Sequence, residues 1–198
     1  MSSTDSIDLY ALLDSIKSGD GADPAFSRLV EMYSPLMQSR VLEMFGTHDG
    51  VEAMQEANIA LHSAALTYDR VKCDGVTFGL YASICISNRL RSLLRRMRRD
   101  SRYSDRFSGD IGIDTPDTSD IESAMAAKDL CERVMREAKQ VLSPFEYEVF
   151  RLSLERYTTA DISARLSKSA KSVDNAKSRI SRKLRENKAV CNILSDIY

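Results

Sequence analysis

Residues 52–61 of the chain read Glu52-Ala-Met-Gln-Glu-Ala-Asn-Ile-Ala-Leu61, and residues 78–86 read Phe78-Gly-Leu-Tyr-Ala-Ser-Ile-Cys-Ile86, followed by a run of arginines. The first segment has the spacing of an acidic, partly apolar helix, and the second that of an aromatic and strongly basic helix. A turn signal, Asp74-Gly75, lies between them in a predicted loop from 70 to 77. The pattern therefore predicts two consecutive helices, the first suited to a protein partner and the second to nucleic acid.

The first of these helices has two contrasting faces when it is plotted at 100° per residue. The apolar stripe, predicted to face a core, consists of Met54, Ala57, Leu61, Ala64 and Tyr68. The opposite face consists of Glu52, Gln55, Glu56, Ile59 and Ser63. An isoleucine centred in an acidic face has no core to enter, which predicts a docking surface for a basic partner. The alternative is a solvated face with one stray isoleucine, and the pattern of a single helix does not decide between them.

The second helix carries an apolar stripe and a basic stripe. The apolar stripe consists of Ala82, Ile86, Leu90, Leu93 and Met97, and the basic residues, called the α4 basic stripe below, are Arg91, Arg95, Arg98, Arg99 and Arg102. Arginines on one face neutralise phosphates, and Phe78 or Tyr81 could stack on an unpaired base. The alternative is that both rings are core residues and that the arginines are merely solvated.

The C-terminal third predicts a helix-turn-helix. Ser143, Pro144 and Glu146 form the cap, first position and capping box of a helix from 144 to about 155. Thr158 caps a short helix that ends near Leu166, and Ser169 caps a final helix that runs to about 187. Residues 167–169 make a tight turn between these two helices. Two short helices joined in this way form a helix-turn-helix, which by itself is common to many regulators.

The final helix also divides into two faces. Its buried stripe is predicted to be Val173, Ala176, Ile180 and Leu184. The other side carries Lys171, Asn175, Ser178 and Arg182, flanked by Asp174, Lys177 and Arg179. Asn and Lys near the start of the helix can contact base edges in the major groove, whereas Arg179 and Arg182 are better placed for phosphates.

These motifs resemble bacterial RNA polymerase sigma factors of the sigma-70 superfamily, over about residues 8–188. The motifs similar to region 2 are Glu52, Gln55-Glu56-Ala57, Ile59-Ala60-Leu61 and Tyr68-Asp69. Segment 78–86 is closest to the sigma-H subgroup, and Lys171-Ser-Val-Asp-Asn-Ala176, Arg179 and Arg182-Lys-Leu184 resemble region 4 of the same kind. The chain has no tryptophan, whereas housekeeping sigma factors carry tryptophans in the segment that melts DNA. Which side chain would open the duplex is therefore not indicated, and Tyr81 is the candidate.

The resemblance implies an all-α protein of two small helical domains. Residues 1–103 correspond to region 2, which binds core polymerase and recognises and melts the minus-ten promoter element. Residues 104–123 form an acidic flexible linker, and residues 124–198 correspond to region 4, which contacts the minus-thirty-five element. The implied partners are core RNA polymerase, through its β′ and β subunits, and promoter DNA, with an anti-sigma factor as a further candidate. No cofactor, metal site, enzyme activity or membrane partner is expected.

The resemblance also assigns site residues. The residues expected to bind core polymerase are Glu52, Gln55, Glu56, Ile59 and Ser63. Contact with the minus-ten element falls to Phe78, Tyr81, Asn88, Arg89, Arg91, Arg95 and Arg98. Contact with the minus-thirty-five element falls to Lys171, Ser172, Asp174, Asn175, Lys177, Ser178, Arg179 and Arg182.

The charge distribution agrees with two nucleic-acid surfaces. The overall formal charge is only −1, but residues 70–106 carry 10 basic and 3 acidic side chains, and residues 151–190 carry 11 and 4. The segment between them, 107–132, carries 1 basic and 7 acidic side chains. Local patches, not totals, bind DNA.

Other chemistries find little support in the sequence. There is no phosphate-binding or dinucleotide-binding glycine loop, and the two histidines, His48 and His62, have no ligand cluster around them. The cysteines, Cys73, Cys85, Cys131 and Cys191, lack paired spacing and are expected to be buried free thiols in the cytoplasm. Two alternatives stay open: a helix-turn-helix regulator that never joins polymerase, and a degenerate sigma relative that binds the core without initiating transcription.

Overall fold

A computed structural model describes residues 8–46, 50–70, 75–104 and 120–187. Every regular element within these ranges is an α-helix, which confirms the predicted all-α class. In chain order the helices are α1 Leu9–Ser18, α2 Ala22–Phe45, α3 Gly50–Thr67, α4 Phe78–Ser104, α5 Asp120–Val141, α6 Pro144–Leu154, α7 Thr159–Leu166 and α8 Ala170–Glu186. Residues 71–74 of the predicted loop lie outside the described residues, as do Cys73 and Cys191.

The chain divides into two compact units. The first comprises Met1–Thr67 with Arg89–Ile111, and the second comprises Tyr68–Asn88 with Gly112–Tyr198, so α4 contributes to both. The domain boundaries proposed above, at 103 and 123, stay a prediction. Residues 105–119 of the predicted linker lie outside the described residues, whereas 104 and 120–123 are helical.

The first unit is built on contacts among α1, α2 and α3. Asp8 caps α1 by accepting a hydrogen bond from the backbone N–H of Tyr10, and Gly19 ends the helix in a left-handed conformation. The buried side chains include Leu13 on α1, with Leu29 and Tyr33 on α2. These apolar positions recur at helical spacing and bury one face of each helix.

The buried face of α3 differs slightly from the predicted stripe. It consists of Ala53, Ala57, Ala60, Leu61, Ala64 and Ala65, while Met54 is only half-buried. Small side chains allow a neighbouring helix to approach closely, which explains why alanines rather than the methionine occupy the contact. Tyr68 follows the end of α3 and is buried as predicted, and its hydroxyl donates to the carbonyl of Val76 at 2.7 Å.

The apolar stripe of α4 is confirmed, apart from its last residue. Ala82, Ile86, Leu90 and Leu93 are buried, and Met97 is half-buried. The start of α4 is buried on more than this stripe, because Phe78, Leu80, Tyr81 and Ile84 are also within the core.

The helix-turn-helix lies in the second unit, and its caps are those that the sequence predicts. Ser143 and Thr158 form capping boxes with Glu146 and Asp161, and the Ser169 hydroxyl accepts from the N–H of Ser172. Helices α5, α6, α7 and α8 pack around one apolar core: Ala138, Leu142, Val149, Leu152, Ile162, Val173, Ala176, Ile180 and Leu184. The α6 helix ends at Leu154 and α8 at Glu186, each one residue short of the predicted end.

Candidate nucleic-acid and protein interfaces

The outer face of α8 is the most complete candidate for a nucleic-acid surface. Lys171, Asn175, Ser178 and Arg182 are all exposed. The four predicted core residues on the opposite side of the helix are all buried, which confirms the predicted division. The fixed inner face and the short turn to α7 hold this outer face in one orientation relative to α7.

Two residues of α8 that are predicted to contact DNA, Asp174 and Lys177, bond to Thr159 at the start of α7. The Thr159 hydroxyl bonds to the Asp174 carboxylate at 3.2 Å, and the ammonium group of Lys177 donates to that hydroxyl at 2.8 Å. A third, Ser172, shares a hydrogen bond with Ser169 at the helix start. These side chains therefore help to join α7 to α8 and to cap α8.

Glu146 links the start of α6 to the second half of α8. Its buried carboxylate accepts from Arg179 Nε at 2.8 Å, from Lys183 Nζ at 2.7 Å and from the backbone N–H of Ser143 at 3.0 Å. Burial alone would raise the pKa of Glu146, but hydrogen bonds from Lys183, Ser143 and Arg179 outweigh it and lower the pKa to about 2. The carboxylate is therefore charged at neutral pH.

This arrangement gives Arg179 a partner within the protein, and its assignment to phosphate binding stays a prediction. The Arg179 guanidinium is directed to Glu146, although its side chain is still 45% exposed. Lys183, which lies in the segment that resembles region 4 but is not among the predicted contact residues, is the other cation of this cluster. Glu146 lies 33 and 37 residues from these partners, so helical periodicity could not have paired them.

The α4 basic stripe is present on the surface of the first unit. Arg95, Arg98 and Arg99 are exposed, and Arg91 is half-buried. The side chain of Arg102 lies outside the described residues. Arg95, Arg98 and Arg99 therefore present exposed cations on this part of α4.

Phe78 and Tyr81 are not on that surface. Their exposed fractions are 0% and 2%, and both rings pack against Tyr68, with centroid separations of 5.4 and 5.6 Å. Stacking on an unpaired base requires an exposed ring face, so the structure favours the core alternative for both residues. The neighbouring Cys85 thiol is also enclosed, and burial raises its pKa to about 12, which keeps it an unreactive thiol at neutral pH.

The exposed face of α3 extends beyond the five predicted docking residues. Glu52 and Gln55 are exposed, Ile59 is 53% exposed and Ser63 is half-buried. Val51 at 78% and Leu66 at 47% add two apolar side chains at positions within 80° of each other and of Ile59 on the helix. We call Val51, Gln55, Ile59 and Leu66 the α3 docking face. Extending the helical plot back to residue 51 and on to 66 would have found it.

Glu56 does not belong to that face, so its expected exposure is corrected, whereas its assignment to core binding stays a prediction. Its side chain is 14% exposed and pairs with Arg89 Nε and Arg96 Nη2 of α4. Arg96 also lies 3.4 Å from Glu52. The structure therefore pairs a predicted polymerase-binding acid with a predicted DNA-binding arginine, Arg89, inside one unit. Asn88, which precedes it, is half-buried.

Comparison of the chain with models of known protein families and with curated proteins found no match. Within the residues that the structure describes, no helix is both long and apolar enough to cross a membrane. The same ranges hold no group of three or more His, Cys, Asp or Glu side chains placed to bind a metal ion.

Proposed function

We propose that the chain is an RNA polymerase sigma factor, which binds core polymerase and directs initiation at specific promoters. The observation that carries the proposal is that three exposed surfaces occur together in this chain. The first is the capped helix-turn-helix, in which Lys171, Asn175 and Arg182 occupy one exposed face of α8. That face has the residue types that contact bases and phosphates, in the order expected along a helix that enters the major groove. In this proposal α8 contacts the minus-thirty-five element.

The second part of the proposal concerns the minus-ten element. The exposed arginines of the α4 basic stripe would bind the phosphates of this element. With Phe78 and Tyr81 in the core, the proposal assigns no base stacking to these rings. A regulator built on a helix-turn-helix needs only one DNA surface, so a second basic face on a separate unit supports the sigma assignment.

The third part concerns the polymerase. The α3 docking face presents three exposed apolar side chains, Val51, Ile59 and Leu66, with Gln55 between them. Exposed apolar side chains aligned on one helix are typical of a surface that a partner covers. The partner proposed for this face is core polymerase, through its β′ and β subunits.

Holoenzyme formation and DNA selection together test the proposal. The full chain is mixed with core polymerase, the complex is isolated by size exclusion, and the genomic fragments that it retains are sequenced. A sigma factor co-elutes with the core and enriches fragments that share two spaced elements. A regulator enriches fragments without the core, and a degenerate relative co-elutes but enriches none, so either result contradicts the proposal.

A further inference from the structure

Arg96 lies between two acidic residues of the neighbouring helix. Its Nη2 atom is 3.4 Å from Oε1 of Glu52 and 3.4 Å from Oε1 of Glu56. The second oxygen of Glu56 accepts from Arg89. All four side chains belong to the first unit. The charge of Arg96 is therefore offset by acids of its own protein.

Arg96 also lies where it could extend the α4 basic stripe. On a helical plot it lies 60° from Arg99, on the side of the stripe that is nearer to α3. The side chain is 41% exposed, and both of its contacts to the acids are long. Rotation about its side-chain bonds can therefore turn the guanidinium from the acids toward solvent without a change in the backbone.

We propose that Glu52 and Glu56 withhold Arg96 from nucleic acid until a basic partner docks on α3. This inference rests on the proposed function, in which that partner is core polymerase and the nucleic acid is promoter DNA. Glu52 is 55% exposed and adjoins the α3 docking face, so a cation of the partner can pair with it and weaken one of the two contacts of Arg96. Arg89 keeps Glu56, so α3 and α4 stay joined while Arg96 adds one phosphate contact.

The first test measures whether the acids withhold Arg96. Glu52→Gln and Glu56→Gln are made in the full chain, and binding to a labelled oligothymidine is followed by fluorescence anisotropy over a salt series. Glu52→Gln should bind about threefold more tightly or better, with a salt slope steeper by about 0.7, which corresponds to one more phosphate on a single strand. Glu56→Gln also removes the acceptor of Arg89, so it should gain at least as much. Addition of Arg96→Gln to the Glu52→Gln variant should remove the gain.

A matched control separates the release of Arg96 from a mere loss of negative charge. Glu31 pairs with Arg28 on α2, and both side chains are more than half exposed. Glu31→Gln therefore removes the same charge without touching α4, and it should leave the slope unchanged. If the Glu52 and Glu56 variants bind no more tightly than this control, the acids do not withhold Arg96 and the proposal is overturned. Circular dichroism shows that each variant is folded, and the exposed Glu52 provides the safer substitution.

The second test measures whether docking releases Arg96. Arg96→Gln should not affect oligothymidine binding by the free chain, but it should lower the salt slope by about 0.7 when the chain is bound to core polymerase. Arg95→Gln, which removes an exposed arginine of the stripe, should weaken binding in both states. An equal loss for Arg96→Gln in both states would overturn the proposal. A chain that does not bind the core contradicts the proposed function instead, and the oligothymidine series still decides whether the acids withhold Arg96.

Discussion

At the scale of single residues, the cations of α8 divide into those that bond within the protein and those that face solvent. Lys177 and Arg179 are held by Thr159 and Glu146, whereas Lys171 and Arg182 lie on the outer face with Asn175. Only side chains of the second kind can reach DNA without giving up a bond in the folded protein. The number of phosphate contacts made by α8 should therefore be smaller than its total charge implies.

Asn175 and Arg182 should have different effects on DNA binding. Asn175 is near the start of α8, where its amide can pair with adenine, and Arg182 is almost two turns further along, where a groove-bound helix passes the backbone. Asn175→Ala should change which upstream elements are preferred. Arg182→Ala should weaken all of them similarly and reduce the salt slope on duplex DNA by about 0.9. Selection from a randomised element, repeated across salt concentrations, measures both the sequence preference and the salt slope. If the Asn175→Ala variant keeps the sequence preference of the parent, the assignment of this face is contradicted.

Glu146 should make stability depend on pH. The pKa of Glu146 is lowered in the folded protein, so its contribution is present above its ordinary pKa of 4.5 and is lost as the pH falls toward 2. Because solvent reaches the partly exposed side chains of Arg179 and Lys183, the contribution at pH 7 is on the order of 1 kcal/mol. Urea unfolding should show Glu146→Gln to be less stable than the parent at pH 7, with a difference that shrinks between pH 5 and 3. A difference that is constant over this range would show that the charge of Glu146 is not responsible.

At the scale of helices, local signals explain what the sequence could predict. Caps such as Ser143 and Thr158 act on N–H groups three residues away, and the apolar stripes repeat within one helix, so both are visible in the sequence. The pairs Glu56–Arg89 and Glu146–Arg179 each join residues 33 apart, and no local pattern fixes which charges meet. The sequence therefore predicted the helices and the outer face of α8 better than it predicted which charged residues are available to a partner.

The start of α4 tests whether a residue that a local pattern assigns to a partner is part of the core. Tyr81 has helical spacing and chemistry that suit base stacking, but its ring packs on Tyr68 within the core. Tyr81→Ala should therefore lower the free energy of unfolding by about 3 kcal/mol, as for other large aromatic side chains removed from cores. Open-complex formation should suffer equally on duplex DNA and on DNA already mismatched at the minus-ten element. A normal melting temperature with a defect on duplex DNA alone would instead support base stacking.

Substitutions can distinguish the role of the α3 docking face from that of Glu52 and Glu56, the acids that join α3 to α4. Ile59→Asp should weaken binding to core polymerase on the order of tenfold and leave the fold intact, because Ile59 is 53% exposed. Glu56→Arg should instead lower stability, on the order of 3 kcal/mol, because it places a third cation beside Arg89 and Arg96. Met125→Asp, at a 68% exposed position on α5, is the matched control and should bind the core normally. Equal binding by the Ile59 and Met125 variants would exclude this face from docking.

At the scale of the whole chain, the proposed activity needs three surfaces on one polypeptide: a docking face on α3, a basic stripe on α4 and an exposed helix face on α8. The first two belong to the first unit and the third to the second unit. Each surface alone is common among proteins that bind other macromolecules, and it is their occurrence together that supports a sigma factor. A direct test must therefore require all three at once.

Run-off transcription by core polymerase on a genomic promoter library, with and without the full chain, is that test. The sigma assignment predicts that adding the chain produces transcripts from discrete start sites, each preceded by the same pair of spaced elements. Ile59→Asp should reduce all of these transcripts, and Asn175→Ala should redistribute them among promoters. If the chain binds the core and DNA but yields no new discrete transcripts, the central claim is wrong.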